Sequence, residues 1–249
     1  DSEVILSICT IFMVLGAVSF GLMFLALQRR DLSVLRNDSE TTFFSWILLL
    51  AAIVTCITLI ITETLPFEEA VVHGIFQTVS IATSSGFTTQ DFSIWPVFLP
   101  FLLLMLSFMG GCVGSTGGGM KAMRVLLIFR QGMRELKQLL HPNAVIPLKL
   151  DSRRVQPAVV SAVWSFFAVY MVSFVAFNFV MLTTGVDFET AFSSVVATMN
   201  NLGPSLGAVS TNYASISEVG KITLSLAMLM GRLEVFTVLV LFTPTFWRP

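Results

Sequence analysis

Apolar and polar positions alternate along this chain in long blocks. Residues 4–27, 43–61, 92–109, 156–183 and 221–243 are almost continuously apolar. Runs of about 20 such residues cross a bilayer at a rise of about 1.5 Å per residue. Five membrane crossings are therefore expected. Two further apolar stretches, 67–83 and 188–198, follow a helical pattern but are too short to span. Each runs straight into a polar, glycine-centred loop, Thr83-Ser84-Ser85-Gly86-Phe87-Thr88-Thr89 in the first case and Asn200-Asn201-Leu202-Gly203-Pro204-Ser205 in the second. Gly86 and Gly203 hold the same place in the two units, 117 residues apart. Long helix, half-length helix, glycine loop and long helix thus occur twice. That is the pattern of a re-entrant loop, because irregular backbone at membrane depth is tolerated only where it lines water or an ion path.

Composition agrees with lipid as the solvent. Of 249 residues, 55% are hydrophobic and 12% charged, and mean hydropathy is +0.86, whereas a soluble domain carries about 25% charge. The net charge of −1 favours no nucleic acid or acidic partner. Cys9, Cys56 and Cys112 are isolated in apolar stretches, and His73 and His141 stand far apart, so no disulfide framework, zinc site or His-based triad is expected. The chain does not read as an enzyme. Arg29-Arg30 close the first apolar run without a cleavage site, which distinguishes it from a signal peptide.

The distribution of charge orients the crossings. Eleven of the fourteen Lys and Arg fall in 28–36 or 121–154, with Arg248 on the same side. Segments 62–98 and 183–220, which hold both glycine loops, contain none, but include Glu63, Glu68, Glu69, Asp91, Asp187, Glu189 and Glu218. By the positive-inside bias the basic connections are cytoplasmic and the glycine loops face out. The acids at the starts of the half-helices suit the positive end of the helix dipole, with Asp187 an N-cap. Their carboxyl ends then aim partial negative charge at the loops.

A cation leaving water needs replacement oxygens, since bare transfer into low dielectric costs tens of kcal/mol by the Born estimate. Backbone carbonyls beside Gly86 and Gly203 supply oxygen without net charge, and neither loop core holds a carboxylate. This favours a weakly hydrated monovalent ion, K⁺ first, over a divalent cation. Two such loops do not ring an ion, so the pore is expected to be completed by residues outside these 249.

Two more features are singled out. Gly110-Gly111-Cys112-Val113-Gly114-Ser115-Thr116-Gly117-Gly118-Gly119 contains six glycines, each costing a helix about 1 kcal/mol relative to alanine, so the helix must break there. It lacks the Gly-Lys-Ser/Thr order of a phosphate loop. It reads either as a close-packing glycine face or as a mobile intramembrane segment beneath the loops, with Ser115 and Thr116 suited to a wet cavity. Arg232 lies within the last apolar run with Glu234 two residues on. It reads either as a structural ion pair or as a positive charge near the pore axis that limits cation flux.

The strings 82–89 (ATSSGFTT), 110–121 (GGCVGSTGGGMK), 141–147 (HPNAVIP), 200–207 (NNLGPSLG) and 231–248 (GRLEVFTVLVLFTPTFWR) resemble the Trk/Ktr/HKT superfamily of potassium transporters, most closely its TrkH branch. The resemblance implies an all-α membrane fold of repeated helix, re-entrant half-helix and helix around a pore. It divides the chain into 1–36, the closing helix of a preceding repeat with its cytoplasmic connection; 37–154, a third-type repeat with the glycine-rich segment; and 155–249, a fourth-type repeat. It implies Thr83, Ser84, Ser85, Gly86, Asn200, Asn201, Leu202 and Gly203 as filter residues for K⁺, the transported ion, with no covalent cofactor. It implies Gly110, Gly111, Gly114, Ser115, Thr116, Gly117, Gly118, Gly119 and Arg232 as the gate. It further implies a homodimer in the bacterial inner membrane, with the filter side periplasmic and a TrkA-like nucleotide-binding ring docked on the cytoplasmic side, where 121–154 offers a basic face. The alternative is a secondary carrier coupling Na⁺ or H⁺ to a solute, for which Glu234 is the one mid-membrane carboxylate. A membrane assembly subunit without transport is the third reading.

Overall fold

The computed structural model describes residues 2–96, 98–144, 146–151, 153–210, 212–233, 235–241 and 243–247. Glu234 and Arg248, both named above, lie outside the described residues. Among the described residues the regular structure is helical apart from one two-stranded hairpin, β1 (Lys149–Leu150) with β2 (Arg153–Arg154). In order the helices are α1 (Glu3–Ala17), α2 (Phe20–Arg29), α3 (Ser33–Asn37), α4 (Ser39–Ile61), α5 (Phe67–Ala82), α6 (Phe98–Ser107), α7 (Ala122–Leu140), α8 (Pro157–Thr183), α9 (Phe188–Met199), α10 (Glu218–Arg232) and α11 (Val235–Leu241).

Two of these, α4 and α8, are by themselves long and apolar enough to cross a membrane. Each buries one stripe and turns apolar side chains outward as well. Along α4, Phe44, Leu48, Ala51, Thr55 and Leu59 are buried while Trp46, Leu50, Ile53, Ile57 and Ile61 are exposed. A helix apolar all round belongs in lipid. The half-helices α5 and α9 are packed inside instead. Ile81, Ala82, Val195, Val196 and Met199 are fully buried, and α9 sits against α8, α10 and α6 in one core while α5 packs on α1 and α4 in another.

Two expected crossings are not straight. Residues 4–27 form α1 and α2, bent by 100°. The break falls where Gly16 and Ala17 give their carbonyls to another segment: Cys112 N donates to Ala17 O (2.8 Å) and Thr116 N to Gly16 O (3.2 Å). Those acceptors are lost to any helix continuing through them, so the chain turns. Residues 221–243 likewise form α10 and α11, turned 114° apart, with the break just after Arg232. The expected run 92–109 yields a short 3-10 turn at Phe92–Ile94 and then the ten-residue α6, ending before the glycines as their number requires. Counting each bent pair as one, the described residues hold up to four spans rather than five.

Candidate functional site

The glycine loops repeat the same capping bonds. Both half-helices end in a Schellman-type turn. Ser85 N donates to Ser80 O (2.9 Å) and Leu202 N to Ala197 O (2.8 Å); Ser84 N donates to Ile81 O and Asn201 N to Thr198 O, each 3.1 Å. Every partner in the second loop lies 117 residues beyond its counterpart. The left-handed positions match too: Ser84 (φ 56°) with Asn201 (φ 53°), and Gly86 (φ 77°) with Gly203 (φ 98°).

The loops also meet. Ser85, Gly86, Leu202 and Gly203 line one cleft of about 660 Å³, whose mouth carries Asp91 and Tyr213. Gly86 lies so close to the Leu202 carbonyl that a Cβ there would overlap the oxygen, and a side chain would also touch Pro204. A Cβ on Gly203 would meet nothing within 4 Å. Among the described residues, no lining residue is Lys or Arg. Tyr213 donates its hydroxyl to Gly203 O (2.9 Å), and burial raises its phenol pKa, so it remains a donor through neutral pH.

Beneath this pair of loops lies the glycine-rich segment. The C-cap residues of α5 and α9 are Thr83 and Asn200, again matched positions. A Cβ on Gly117 would sit 3.1 Å from Thr83 O, and one on Gly118 would overlap Asn200 O. Only glycine lets the segment approach both carbonyls so closely. On the far side two cations hold three successive carbonyls. Arg232 Nη1 donates to Thr116 O (3.1 Å), and Lys121 Nζ donates to Ser115 O (3.4 Å) and to Gly117 O. A cavity of about 200 Å³ separates these cations, lined by Ser115, Gly117, Gly118, Gly119, Lys121, Gly231 and Arg232.

Of the eight residues expected at the filter, Ser85, Gly86, Leu202 and Gly203 line the cleft, whereas Ser84 and Asn201 do not line it. The buried C-caps Thr83 and Asn200 turn their carbonyls toward Gly117 and Gly118, and Arg232 meets the same glycine-rich segment at Thr116. Thr116 faces α1 as well, donating its hydroxyl to Gly16 O (3.0 Å), whereas Ser115 Oγ is buried without a partner among the described residues. Sequence reasoning passed over Lys121, hidden in a basic stretch. It also missed the frame of the second loop, in which Tyr170 donates to Asn200 Oδ1 (2.7 Å) and Asn200 Nδ2 to Ser107 Oγ (2.8 Å). Those three residues come from three elements with no common spacing. Buried Glu40 was missed too, because an acid in a helix first turn looks like a local dipole partner.

Among the described residues, no cluster of His, Cys, Asp or Glu could hold a metal ion. Chemically, the arrangement offers carbonyl oxygen in a cleft lined also by Asp91, with the glycine-rich segment packed against the C-cap carbonyls behind it.

Comparison with known proteins agrees with this geometry. The family profile described as "TrkH: Cation transport protein" matches residues 1–248. The chain is 46% identical over its whole length to the Trk system potassium uptake protein TrkH of Halomonas elongata and 47% identical to that of Escherichia coli K12, covering 52% of each. It is similar, at TM-score 0.94 and 44% identity, to the crystal structure of the potassium transporter TrkH from Vibrio parahaemolyticus, with all of this chain and 54% of that one aligned. The chain spans about half the length of the curated relatives it matches. A mostly helical membrane fold with bent helix pairs, two matched re-entrant loops and a family profile covering 248 residues lead to one assignment: this chain belongs to the TrkH family of cation transport proteins, a family of transporters and not of enzymes.

Proposed function

We propose that the chain supplies two of the selectivity-filter loops and the gate of a potassium-uptake pathway. The carrying observation is the repeated backbone: Ser84 and Gly86 match Asn201 and Gly203 in conformation, and Ser85 with Gly86 and Leu202 with Gly203 line one cleft. Carbonyls of Thr83, Ser84, Ser85 and Gly86 and of Asn200, Asn201, Leu202 and Gly203 are the ion's ligands in this reading. The helix dipoles of α5 and α9 add negative potential from below, and Asp91 draws cations to the mouth. The relatives named as potassium uptake proteins supply the choice of K⁺.

Residues 110–119 are the gate. With Gly117 and Gly118 against the two C-cap carbonyls, an ion leaving the filter meets backbone rather than water. Passage requires this segment to withdraw, breaking the Arg232 and Lys121 contacts. Arg232 thus acts twice, as a latch and as a positive charge below the filter. The rest of the pore lies in the other half of the full-length protein, with residues 1–36 closing a preceding repeat and 37–154 and 155–249 forming two more. Basic residues of α7 and the hairpin face the cytoplasm of the bacterial inner membrane, as the docking side for a TrkA-like ring, in a homodimeric assembly. A coupled carrier gains no support from Glu40, the buried carboxylate the structure does show, because backbone amides hold it.

The test is rubidium uptake into vesicles carrying the full-length transporter, competed by K⁺ and by Na⁺. Gly86→Ser should abolish uptake, and Arg232→Ala should raise it. Unchanged uptake and unchanged K⁺ competition in Gly86→Ser would end the filter reading.

A further inference from the structure

Glu40 lies in the first turn of α4 and is 3% exposed. A carboxylate so placed normally sits in water over its own helix end. Here one oxygen, Oε1, accepts two backbone amides from far away in sequence: Val113 N at 2.8 Å and Met123 N at 3.0 Å, 73 and 83 residues distant. Val113 is the fourth residue of the glycine-rich segment, immediately before 114–119, and Met123 lies just past its end.

Both amides need this partner. Met123 N is in the first turn of α7, where helix amides have no intrahelical acceptor, and the α7 N-cap residue, Lys121, makes no side-chain cap bond. Glu40 therefore caps α7 from another helix, with its negative charge at the positive end of the α7 dipole. Val113 is in irregular backbone. Further bonds draw the same two ends together: Ala122 N to Gly111 O and Met120 N to Phe108 O, each 3.0 Å. Between the ends, Ser115 to Gly118 contact two side-chain cations, α1 and the C-cap carbonyls, and also the segment's own base, with Ser115 N donating to Cys112 O (3.1 Å) and Gly117 and Gly118 lying against Gly111 and Gly110.

We propose that Glu40 is a positioning residue that clasps both ends of the glycine-rich segment through one oxygen, so that residues 114–119 move as a flap on a fixed base. The proposal rests on reading that segment as the gate. It separates what must stay, the Glu40 clasp, from what must break, the Arg232 and Lys121 contacts.

The test uses the full-length transporter in vesicles, with amide hydrogen exchange over 110–124 and rubidium flux measured on the same preparations. Glu40→Ala removes the acceptor. Exchange at Val113 and Met123 should accelerate about tenfold, the scale of one lost hydrogen bond in an opening equilibrium, and resting flux should rise severalfold. Glu40→Gln keeps a carbonyl oxygen in place of Oε1 and should restore slow exchange at both amides. Glu40→Asp, one methylene shorter and still charged, should exchange like Glu40→Ala, and serves if the alanine variant does not fold. Unchanged exchange in Glu40→Ala or Glu40→Asp overturns the clasp whatever the flux does, as does a Glu40→Gln variant as fast as Glu40→Ala. Faster exchange at both amides with unchanged flux, alongside unchanged flux in Arg232→Ala, keeps the clasp and overturns the gate.

Discussion

The two glycine loops share a backbone but not a support. The second is framed on every side. Asn200 is bonded to Tyr170 and Ser107; Ser193 Oγ donates to Leu206 O and accepts from Leu206 N; Ser205 donates to Val209 O. Asp187 caps α9 and bonds Thr190, whose hydroxyl accepts from Ala208 N in the descending limb. In the first loop, α5 starts at Pro66 with no side-chain cap. Its tie to the descending limb is one contact, His73 Nδ1 with Thr89 Oγ1 at 2.9 Å, and His73 holds the position matching Thr190. Gln77, fully buried, has neither amide atom partnered, and Ser80 and Ser84 hydroxyls are also unpartnered among the described residues. The second loop has one such atom, Asn201 Nδ2. Equal backbone geometry is therefore held by side chains in one unit and largely by close packing in the other. Each loop should fail in its own way.

The largest effect is expected where the first loop is wedged against the second. Gly86→Ala forces a Cβ into the Leu202 carbonyl at a position with φ of 77°. Overpacking and left-handed strain together cost about 3 kcal/mol. Gly203→Ala meets open space and carries only the strain, about 1 kcal/mol. Thermal melting of the full-length protein in detergent should place Gly86→Ala well below Gly203→Ala, with rubidium uptake lost in the former. Equal melting temperatures would show that Gly86 is not wedged against the partner loop.

Next in size is the frame itself. Asn200→Ala strands the Tyr170 hydroxyl in a buried site, at about 1–3 kcal/mol for a group left unsatisfied, while the Ser107 hydroxyl keeps its bond to Leu104 O. Ser84→Ala, in the first loop, removes a hydroxyl that has no partner among the described residues and should change stability by less than about 0.5 kcal/mol. Double-mutant cycles sharpen the contrast. Asn200 and Tyr170 should couple by about 1 kcal/mol, whereas Ser84 and Gln77 should add independently.

This asymmetry also explains what was legible in the sequence. Apolar period and loop chemistry are local, and they located α5 at 67–82 and α9 at 188–199 to within a residue, together with the pairing of Gly86 and Gly203. The bend between α1 and α2 was not legible, because nothing in residues 4–27 forbids a helix through 17–19. The break exists because Cys112 and Thr116, about 100 residues away, take the carbonyls. Glu40 and Lys121 escaped for the opposite reason. Each has an ordinary local explanation, a helix-start acid and a cytoplasmic base, that hides its bonds to the glycine-rich segment. The Tyr170, Asn200 and Ser107 frame spans three helical units, and single-sequence periodicity carries no signal for it.

The smallest effect falls at the outer end of α9 and tests whether the second loop's advantage includes its cap. Asp187 accepts from the Thr190 hydroxyl and amide, and these bonds hold its carboxyl below the usual carboxylate range. A folded-state pKa below the unfolded one contributes stability above about pH 4, and that contribution is lost as pH falls through the folded value. Asn caps a helix about as well as Asp but does not titrate. Asp187→Asn should therefore differ from the wild type by only a few tenths of a kcal/mol at pH 7, since the group is exposed and its charge screened. The wild type's small advantage should shrink as pH falls from 6 to 3, while every other titrating group cancels between the two proteins. A difference independent of pH would mean that the ionised carboxylate adds nothing beyond an acceptor. The second unit would then owe its firmer hold to the buried Asn200 frame and not to its cap.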